Sequence, residues 1–138
     1  MIELLAALTL FAAQDGDDAN PRDMAERTVA AAIDAHNAHD LEGFLATMAE
    51  DVVFLSLDGD VLVEGRAAVA DIWGRRFEER PNLVAEILHR TVIGNRVIDD
   101  ELLCLNGLDQ PCVQLVAIYT VDDSLIQTMH VIQTGGGN

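Results

Sequence analysis

The chain has 138 residues, half of them hydrophobic, which suits one domain with a sizeable core. Its formal net charge is −16, and its basic residues are scattered from Arg22 to Arg96, so we expect no nucleic-acid partner. No apolar run is long enough to cross a bilayer as a helix, so we expect no integral membrane segment.

The first 20 residues change abruptly in character. An apolar run from Ile2 to Ala13 gives way to the acidic stretch DGDDANP, which is typical of a secretory signal followed by a mature start. Glu3 stands where basic residues are expected, and Phe11 stands where a small residue is preferred. An amphipathic helix packed on the body or on a partner chain explains the run equally well. Residues 1–20 are therefore predicted to be signal-like or flexible.

Two helices are predicted next. Asn20 can cap the first one, Pro21 suits its first position, and Asp23 favours its positive end. One face of this helix carries Met24, Thr28, Ala32 and His36 at a spacing of four. Asp40 is predicted to cap a shorter helix, whose apolar stripe is Leu41, Phe44, Leu45 and Met48.

The chain then alternates between strands and one further helix. VVFLSL and VLVEG read as a hairpin around Asp58-Gly59. Gly65 opens a third helix, RAAVADIWGRRFEER, with Val69, Ile72, Trp73, Arg76 and Phe77 on one side. Four antiparallel strands are predicted at residues 83–93, 96–104, 113–121 and 125–133, followed by a disordered tail at 134–138. This order indicates an α+β domain, in which helices over a curved sheet enclose a hollow.

Two stretches resemble a known superfamily. HNAHDLEGFLATMAEDVVF resembles the signature of SnoaL-like and nuclear transport factor 2-like proteins, and RFEERPNLVAEILHRTVIGNRVIDDE is similar to an uncharacterised SnoaL-like branch. The resemblance covers about Met24 to Val131, so we define a SnoaL-like domain at residues 21–133. It implies a cone-shaped curved antiparallel sheet wrapped around an N-terminal helical layer, with an apolar pocket and frequent homodimers.

The catalytic groups of one superfamily member are not matched. Ketosteroid isomerase uses a tyrosine and two aspartates, and their positions fall at or near Ala32, Ser56 and Ala117 of this sequence. None of these residues can perform the corresponding proton transfer or hydrogen bond. We therefore do not expect isomerisation by that arrangement.

Three consecutive acids stand in the otherwise apolar stretch VIDDELL. If Gly94-Asn95 form a tight turn, Arg90 faces Asp99, His89 faces Asp100, and Leu88 faces Glu101. Alternation then places Glu86, Arg90, Val92, Val97, Asp99 and Glu101 on one face of the sheet. Ile87, His89, Thr91, Ile98, Asp100 and Leu102 lie on the other.

The first face supplies the candidate catalytic residues. Asp99 would act as the base, Glu101 as the second carboxylate, and Arg90 as the group that holds or polarises the substrate. A cross-strand ion pair on a solvated face explains the same residues. His89 and Asp100 form a competing candidate, for which surface pairing is the simpler explanation.

Further residues are candidates for binding an apolar substrate. The aromatic residues Trp73, Phe77, Phe54 and Tyr119 are expected to line the cavity or the core. The histidines His36, His89 and His130 are expected to bind substrate or to be half-buried hydrogen-bonded groups. No metal-ligand or phosphate-loop motif is present, so we expect neither a metal nor another cofactor.

The two cysteines flank a short loop between predicted strands. Cys104 and Cys112 can form a disulfide across this loop, or they can be ordinary buried thiols. A disulfide and a signal-like start together favour a periplasmic or secreted protein, whereas free thiols favour the cytoplasm.

The sequence thus predicts a domain that binds a small, mostly apolar molecule. As an enzyme it would carry out acid/base chemistry without a cofactor, of the isomerase, cyclase or hydratase type. The alternative is a non-catalytic module for ligand binding or dimerisation.

Overall fold

The computed structural model describes residues 20–133. The predicted signal-like segment (except Asn20) and the tail at 134–138 lie outside the described residues. Three helices and six strands follow one another as α1 (Pro21–Asn37), α2 (Leu41–Ala46), β1 (Met48–Ser56), β2 (Val61–Glu64), α3 (Arg66–Glu79), β3 (Val84–Ile93), β4 (Arg96–Cys104), β5 (Val113–Asp122) and β6 (Leu125–Gln133).

The helix starts follow the capping residues. The Asn20 side chain accepts a hydrogen bond from the Asp23 backbone N–H at 2.9 Å, and Pro21 occupies the first turn of α1. Asp40 caps α2 in the same way through the Gly43 N–H at 3.0 Å. Gly65 precedes α3 with φ +91°, a conformation that favours glycine where the chain turns from β2 into the helix.

The sheet confirms the α+β prediction but is mixed and open. Its order is β2-β1-β6-β5-β4-β3, with β2 and β3 at the edges. The four later strands are antiparallel neighbours as predicted, whereas β1 runs parallel to β6. The expectation of a wholly antiparallel sheet is therefore wrong at this one pairing. No tight turn joins β1 to β6, so local sequence does not fix their relative direction.

The β3–β4 hairpin follows the predicted register for most of its length. Gly94 has φ +58°, and the pairs run from Ile93–Arg96 to His89–Asp100. The register then shifts, because Leu88 is an extra residue and Ile87, not Leu88, pairs with Glu101. This β-bulge is the reason that the predicted Leu88–Glu101 pair is wrong.

The bulge also changes which residues face the helices. Glu86 pairs with Leu102 and is exposed, while Ala85 is buried against the interior. The predicted placement of Glu86 and Ile87 is therefore reversed. Alternation from Arg90 onwards is unaffected, so Val97, Asp99 and Glu101 all point inward and are buried.

The helices cover one face of the sheet. α1 packs across β3 to β6, and α3 packs against α2 and the β1–β2 hairpin. The core between them is apolar, with Val29, Val52, Val97 and Ile126 completely buried. Met48, which was predicted on the α2 stripe, is buried as the first residue of β1.

Among residues 20–133, no helix has the length and apolar character that crossing a membrane requires. A disulfide joins Cys104, at the end of β4, to Cys112, just before β5, and closes the loop between these strands.

Candidate functional site

A cavity of about 280 Å³ lies between the helices and the inner face of the sheet. This volume is near the lower end of the range of roughly 300–1,000 Å³ that is usual for small-molecule sites. Most of its wall is apolar, with side chains that include Phe44, Met48, Phe54, Leu103, Leu115 and Met129. Six residues with polar or charged groups also reach the wall: His36, Trp73, Arg76, Glu101, Tyr119 and Gln133.

Arg90 and Asp99 form a buried ion pair beside this cavity. The Asp99 side chain is completely buried, and the Arg90 side chain is 19% exposed. Arg90 Nε donates to Asp99 Oδ1 at 2.7 Å, and Nη2 donates to Oδ2 at 2.9 Å. These hydrogen bonds raise the pKa of Arg90 above its ordinary value. Neither residue is part of the cavity wall, and both Asp99 oxygens are held by the arginine.

Glu101 is the carboxyl group that reaches the cavity. It lies two residues after Asp99 on the same face of β4 and is 6% exposed. Its Oε2 is buried without a hydrogen-bond partner among the described residues. The pKa of Glu101 is raised to about 7, because burial and then the negative charge of Asp99 raise it by more than the charge of Arg90 lowers it. A carboxyl with this pKa can both accept and return a proton near neutral pH.

Tyr119 supplies a hydroxyl group to the same wall. It lies on β5, pairs across the strands with Val97, and is 6% exposed. Burial, followed by the charges of Glu101 and Asp99, raises the pKa of Tyr119 well above its ordinary value. The hydroxyl therefore stays protonated and can donate a hydrogen bond to a molecule in the cavity.

His36 presents an imidazole from the helical layer. The Asn37 side chain is fixed to β3 because its Nδ2 donates to the Ala85 carbonyl and its Oδ1 accepts from the Ala85 N–H. His36 Nδ1 therefore donates to Asn37 Oδ1, at 3.1 Å, and Nε2 keeps its lone pair. Burial lowers the pKa of His36, so the ring is neutral near pH 7.

Trp73 and Arg76 form the part of the wall contributed by α3. The Arg76 guanidinium lies 4.6 Å from the centre of the Trp73 ring, which also contacts Phe54 edge-on. Trp73 Nε1 is buried without a hydrogen-bond partner among residues 20–133. The sequence placed Arg76 on the correct face of α3 but gave it no role. The available signal was its position three residues after Trp73, on the same helical face.

The remaining predicted site residues lie elsewhere. Phe77 is buried outside the cavity wall, where its ring stacks on His39 at 4.9 Å and meets His36 edge-on. His89 is exposed on the outer face of the sheet, opposite Asp100, which accepts a hydrogen bond from Gln114. His130 is on that outer face too, because its neighbours Met129 and Val131 line the cavity. The structure therefore separates Phe77, His89 and His130 from the cavity.

The described residues contain no evident metal-binding group. Within residues 20–133, no three histidine, cysteine, aspartate or glutamate side chains are grouped so that they could hold a metal ion. The polar groups of the cavity are suited to proton transfer and hydrogen bonding by the side chains themselves.

Comparisons with known proteins agree with this architecture. A family model described as a SnoaL-like domain matches residues 29–129. No curated protein matches the sequence. A crystal structure of an uncharacterised cystatin-fold protein from Novosphingobium aromaticivorans is similar with a TM-score of 0.69 and 25% identity, over 77% of this chain and 95% of that one.

Two other solved structures carry provisional activity names. One, from Kribbella flavida, is named as a ketosteroid isomerase and has a TM-score of 0.70 and 17% identity, over 86% of this chain and 84% of that one. The other, from Sinorhizobium meliloti, is named as a polyketide cyclase and has a TM-score of 0.64 and 23% identity, over 77% of this chain and 94% of that one. At these identities the likeness shows the fold alone.

Proposed function

Because this chain belongs to the SnoaL-like domain family, we propose that its cavity binds a small, mostly apolar molecule and performs acid/base chemistry on it without a cofactor. The single observation that carries the proposal is Glu101, a buried carboxyl with an unpartnered oxygen in an apolar cavity wall. Buried ionisable groups without partners are costly, and they occur where their reactivity is used.

We assign proton transfer to Glu101 rather than to Asp99. Both Asp99 oxygens already accept hydrogen bonds from Arg90, so neither is free to contact a substrate. The Arg90–Asp99 pair instead sets the electrostatic surroundings of Glu101, because Asp99 raises its pKa and Arg90 lowers it. The sequence-based assignment of Asp99 as the base is thereby replaced.

The reaction class follows from the groups that share the cavity. The Glu101 carboxylate would remove a proton from a carbon next to a carbonyl, and the electrons of that C–H bond would move towards the carbonyl oxygen. The Tyr119 hydroxyl is a suitable hydrogen-bond donor to the resulting enolate oxygen. Return of the proton from Glu101 to another carbon gives an isomerisation. Attack of the enolate carbon on a second carbonyl gives a cyclisation, in which the new alkoxide oxygen takes the proton back from Glu101. Loss of a β-hydroxyl, which takes that proton and leaves as water, gives a dehydration, the reverse of a hydration.

The provisional names of two similar structures are compatible with this class. The two names denote an isomerisation and a cyclisation, which are two of the outcomes described above, although the likeness to this chain supports only the shared fold. The alanines at positions 32 and 117 are buried beside the cavity or in the core, so the acid/base group proposed here occupies a different strand position.

Ligand binding without turnover is the second candidate. It is favoured by the Arg90–Asp99 pair, since two of the three groups first considered as catalytic are held by each other. The two candidates differ in what Glu101 does, because a binding module does not need a carboxyl that exchanges protons with its ligand.

Proton exchange provides the test. Wild-type protein is incubated with cyclohexanone or 2-tetralone in D2O, and loss of the α-proton signal is followed by NMR. We expect faster exchange with the wild type than in buffer alone. The protein-dependent part of the rate should be lower by about 100-fold or more with Glu101→Gln. Asp100→Asn, on the outer face of the same strand, is the matched control. Equal protein-dependent rates for wild type and Glu101→Gln would contradict the acid/base proposal.

Dimerisation through the outer face of the sheet is part of the proposal. A row of cross-strand neighbours, Ile98, Ile118, His130 and Leu55, lies on the face opposite the helices. All four side chains are only partly buried in the single chain. A second copy covering this row would bury apolar surface on both partners. We expect a dimer by analytical ultracentrifugation and a monomer for Ile118→Asp.

We further propose that the protein works in an oxidising compartment, either periplasmic or outside the cell. The Cys104–Cys112 disulfide supports this location because cytoplasmic thiols are normally kept reduced. The mass of the protein isolated from its native cell tests the location, since it reports both the state of the cysteines and removal of a leader. A full-length mass with two free thiols would contradict export.

A further inference from the structure

Three arginines border a cleft on the outer side of α3. Arg75, Arg76 and Arg80 line it together with Ile72, Glu79 and Leu105, and its volume is about 330 Å³. The chain contains only eight basic residues against 24 acidic ones. Three of the eight lie within residues 75–80, and all three border this one cleft on an otherwise strongly acidic chain.

Arg76 belongs to both the cleft and the cavity. It lies in the wall of each, so its side chain stands at the boundary between the apolar interior and the outer surface. The Trp73 ring, 4.6 Å from the Arg76 guanidinium carbon, holds the group there by a cation–π contact. A molecule in the cavity can therefore reach a positive charge at this one point of the wall.

The Arg76 guanidinium differs from those of its two neighbours in its hydrogen bonding. Arg75 donates to the Asp71 carbonyl at 3.3 Å, and Arg80 donates to Asn106 Oδ1 at 3.2 Å. Within residues 20–133, Arg76 makes neither a hydrogen bond nor an ion pair, although Glu79 borders the same cleft. The guanidinium is half-buried, so an anion would compensate for the hydration that it has lost, and a planar carboxylate matches its paired donors.

We propose that the molecule bound in the cavity is an apolar carboxylic acid, whose carboxylate binds Arg76 while its apolar body lies in the cavity. This inference rests on the proposed function only in that the cavity binds a small molecule. Arg76 and Glu101 line the cavity from the helical layer and from the sheet, so an acid held at Arg76 extends its body towards the proton-transfer group. A monoanion is favoured over a phosphate ester because the net charge of −16 opposes a second negative charge.

The test compares octanoate with octanamide, which have the same chain but differ in charge. Trp73 is the only tryptophan and lies in the cavity wall, so its fluorescence reports binding, and calorimetry gives an independent measurement. We expect octanoate to bind about tenfold more tightly than octanamide at low salt. Equal affinities, or no octanoate binding up to its solubility limit, would overturn the proposal.

Substitutions test which positive charge causes the preference for octanoate. Arg76→Gln should abolish the preference for octanoate and leave octanamide binding unchanged within about twofold. Arg27→Gln is the matched control, because Arg27 is exposed on α1 and its substitution changes the net charge equally; it should retain the preference. If Arg76→Gln does not fold, Arg76→Lys should retain only part of the preference, since lysine lacks the paired donors. Full retention in either Arg76 variant would overturn the assignment.

Failure of this inference can be told apart from failure of the proposed function. If wild type prefers octanoate but shows no proton exchange with the ketones, the acid/base proposal fails and the Arg76 site stands. If exchange depends on Glu101 but octanamide binds as well as octanoate, the Arg76 site fails alone.

Discussion

Asp99 and Glu101 lie on the same face of β4 two residues apart, and both are buried, but only Asp99 has its oxygens satisfied. Arg90 takes both oxygens of the first carboxylate, which keeps that charge balanced within the fold. The second carboxyl faces an apolar cavity with an unpartnered oxygen and a raised pKa. The two acids share one face of β4, but their different surroundings give them different roles.

Glu101 should make the wild type less stable as pH rises. Its pKa is about 7 in the folded chain against an ordinary value of 4.5, so between these values the folded state binds more protons than the unfolded state. The free energy of unfolding should therefore fall across this interval, by up to about 3 kcal/mol from this group. Glu101→Gln lacks the titrating group, so its free energy of unfolding should not show this fall. Urea unfolding at about pH 5 and about pH 8 measures the free energy of unfolding of both proteins. The same change with pH in wild type and variant would contradict the raised pKa of Glu101.

Asp99→Asn should destabilise the fold strongly. The substitution leaves the Arg90 guanidinium without its charge partner, and removal of one member of a buried pair typically costs about 3–5 kcal/mol. Asp100→Asn is the matched control, because Asp100 is the next residue on the outer face and should cost under about 1 kcal/mol. Denaturant midpoints give both values. A loss for Asp99→Asn no larger than that of the control would show that the ion pair is not structural.

The same Asp99→Asn variant should lower the pKa of Glu101. The Asp99 charge raises this pKa and the Arg90 charge lowers it, so the substitution removes the first effect and leaves the second unopposed. An NMR titration of the glutamate side-chain carboxyl carbons follows the change. A Glu101 pKa that stays constant would mean that burial alone sets its value.

Opening the Cys104–Cys112 disulfide should lower the thermal stability. The bridge closes a short loop between β4 and β5, and loss of such a link costs roughly 2–3 kcal/mol. The double substitution Cys104→Ala/Cys112→Ala should melt at a lower temperature than the oxidised wild type. Its melting temperature should not respond to dithiothreitol, whereas that of the wild type should fall. A wild-type melting curve unaffected by the reductant would contradict a stabilising disulfide.

Local signals were sufficient to predict much of the fold. Asn20 and Asp40 cap helices where a short polar side chain precedes an apolar stripe, and Gly94 turns the β3–β4 hairpin. The Arg90–Asp99 pairing follows directly from that turn, because register in a tight hairpin is set by its loop. What could not be predicted locally was the parallel β1–β6 contact and the bulge at Leu88, which depend on how distant strands pack.

The different roles of the site residues depend on their contacts in the folded chain, which the alternation of residues along a strand does not show. Alternation placed Asp99 and Glu101 on one face, but it could not show that Arg90 satisfies one acid while the other lines a cavity. Arg76 was missed because an arginine on an amphipathic helix usually reaches solvent. Its position between the cavity and the outer cleft follows from the packing of α3 on the β1–β2 hairpin.

The most direct test of the account is the pKa of Glu101 itself. The side-chain carboxyl carbon can be observed by NMR in protein labelled at glutamate and assigned by its absence in Glu101→Gln. We predict a titration midpoint of about 7, well above the ordinary value of 4.5. A midpoint at the ordinary value would mean that Glu101 is a hydrated carboxylate, and the proposed proton transfer in the cavity would be wrong.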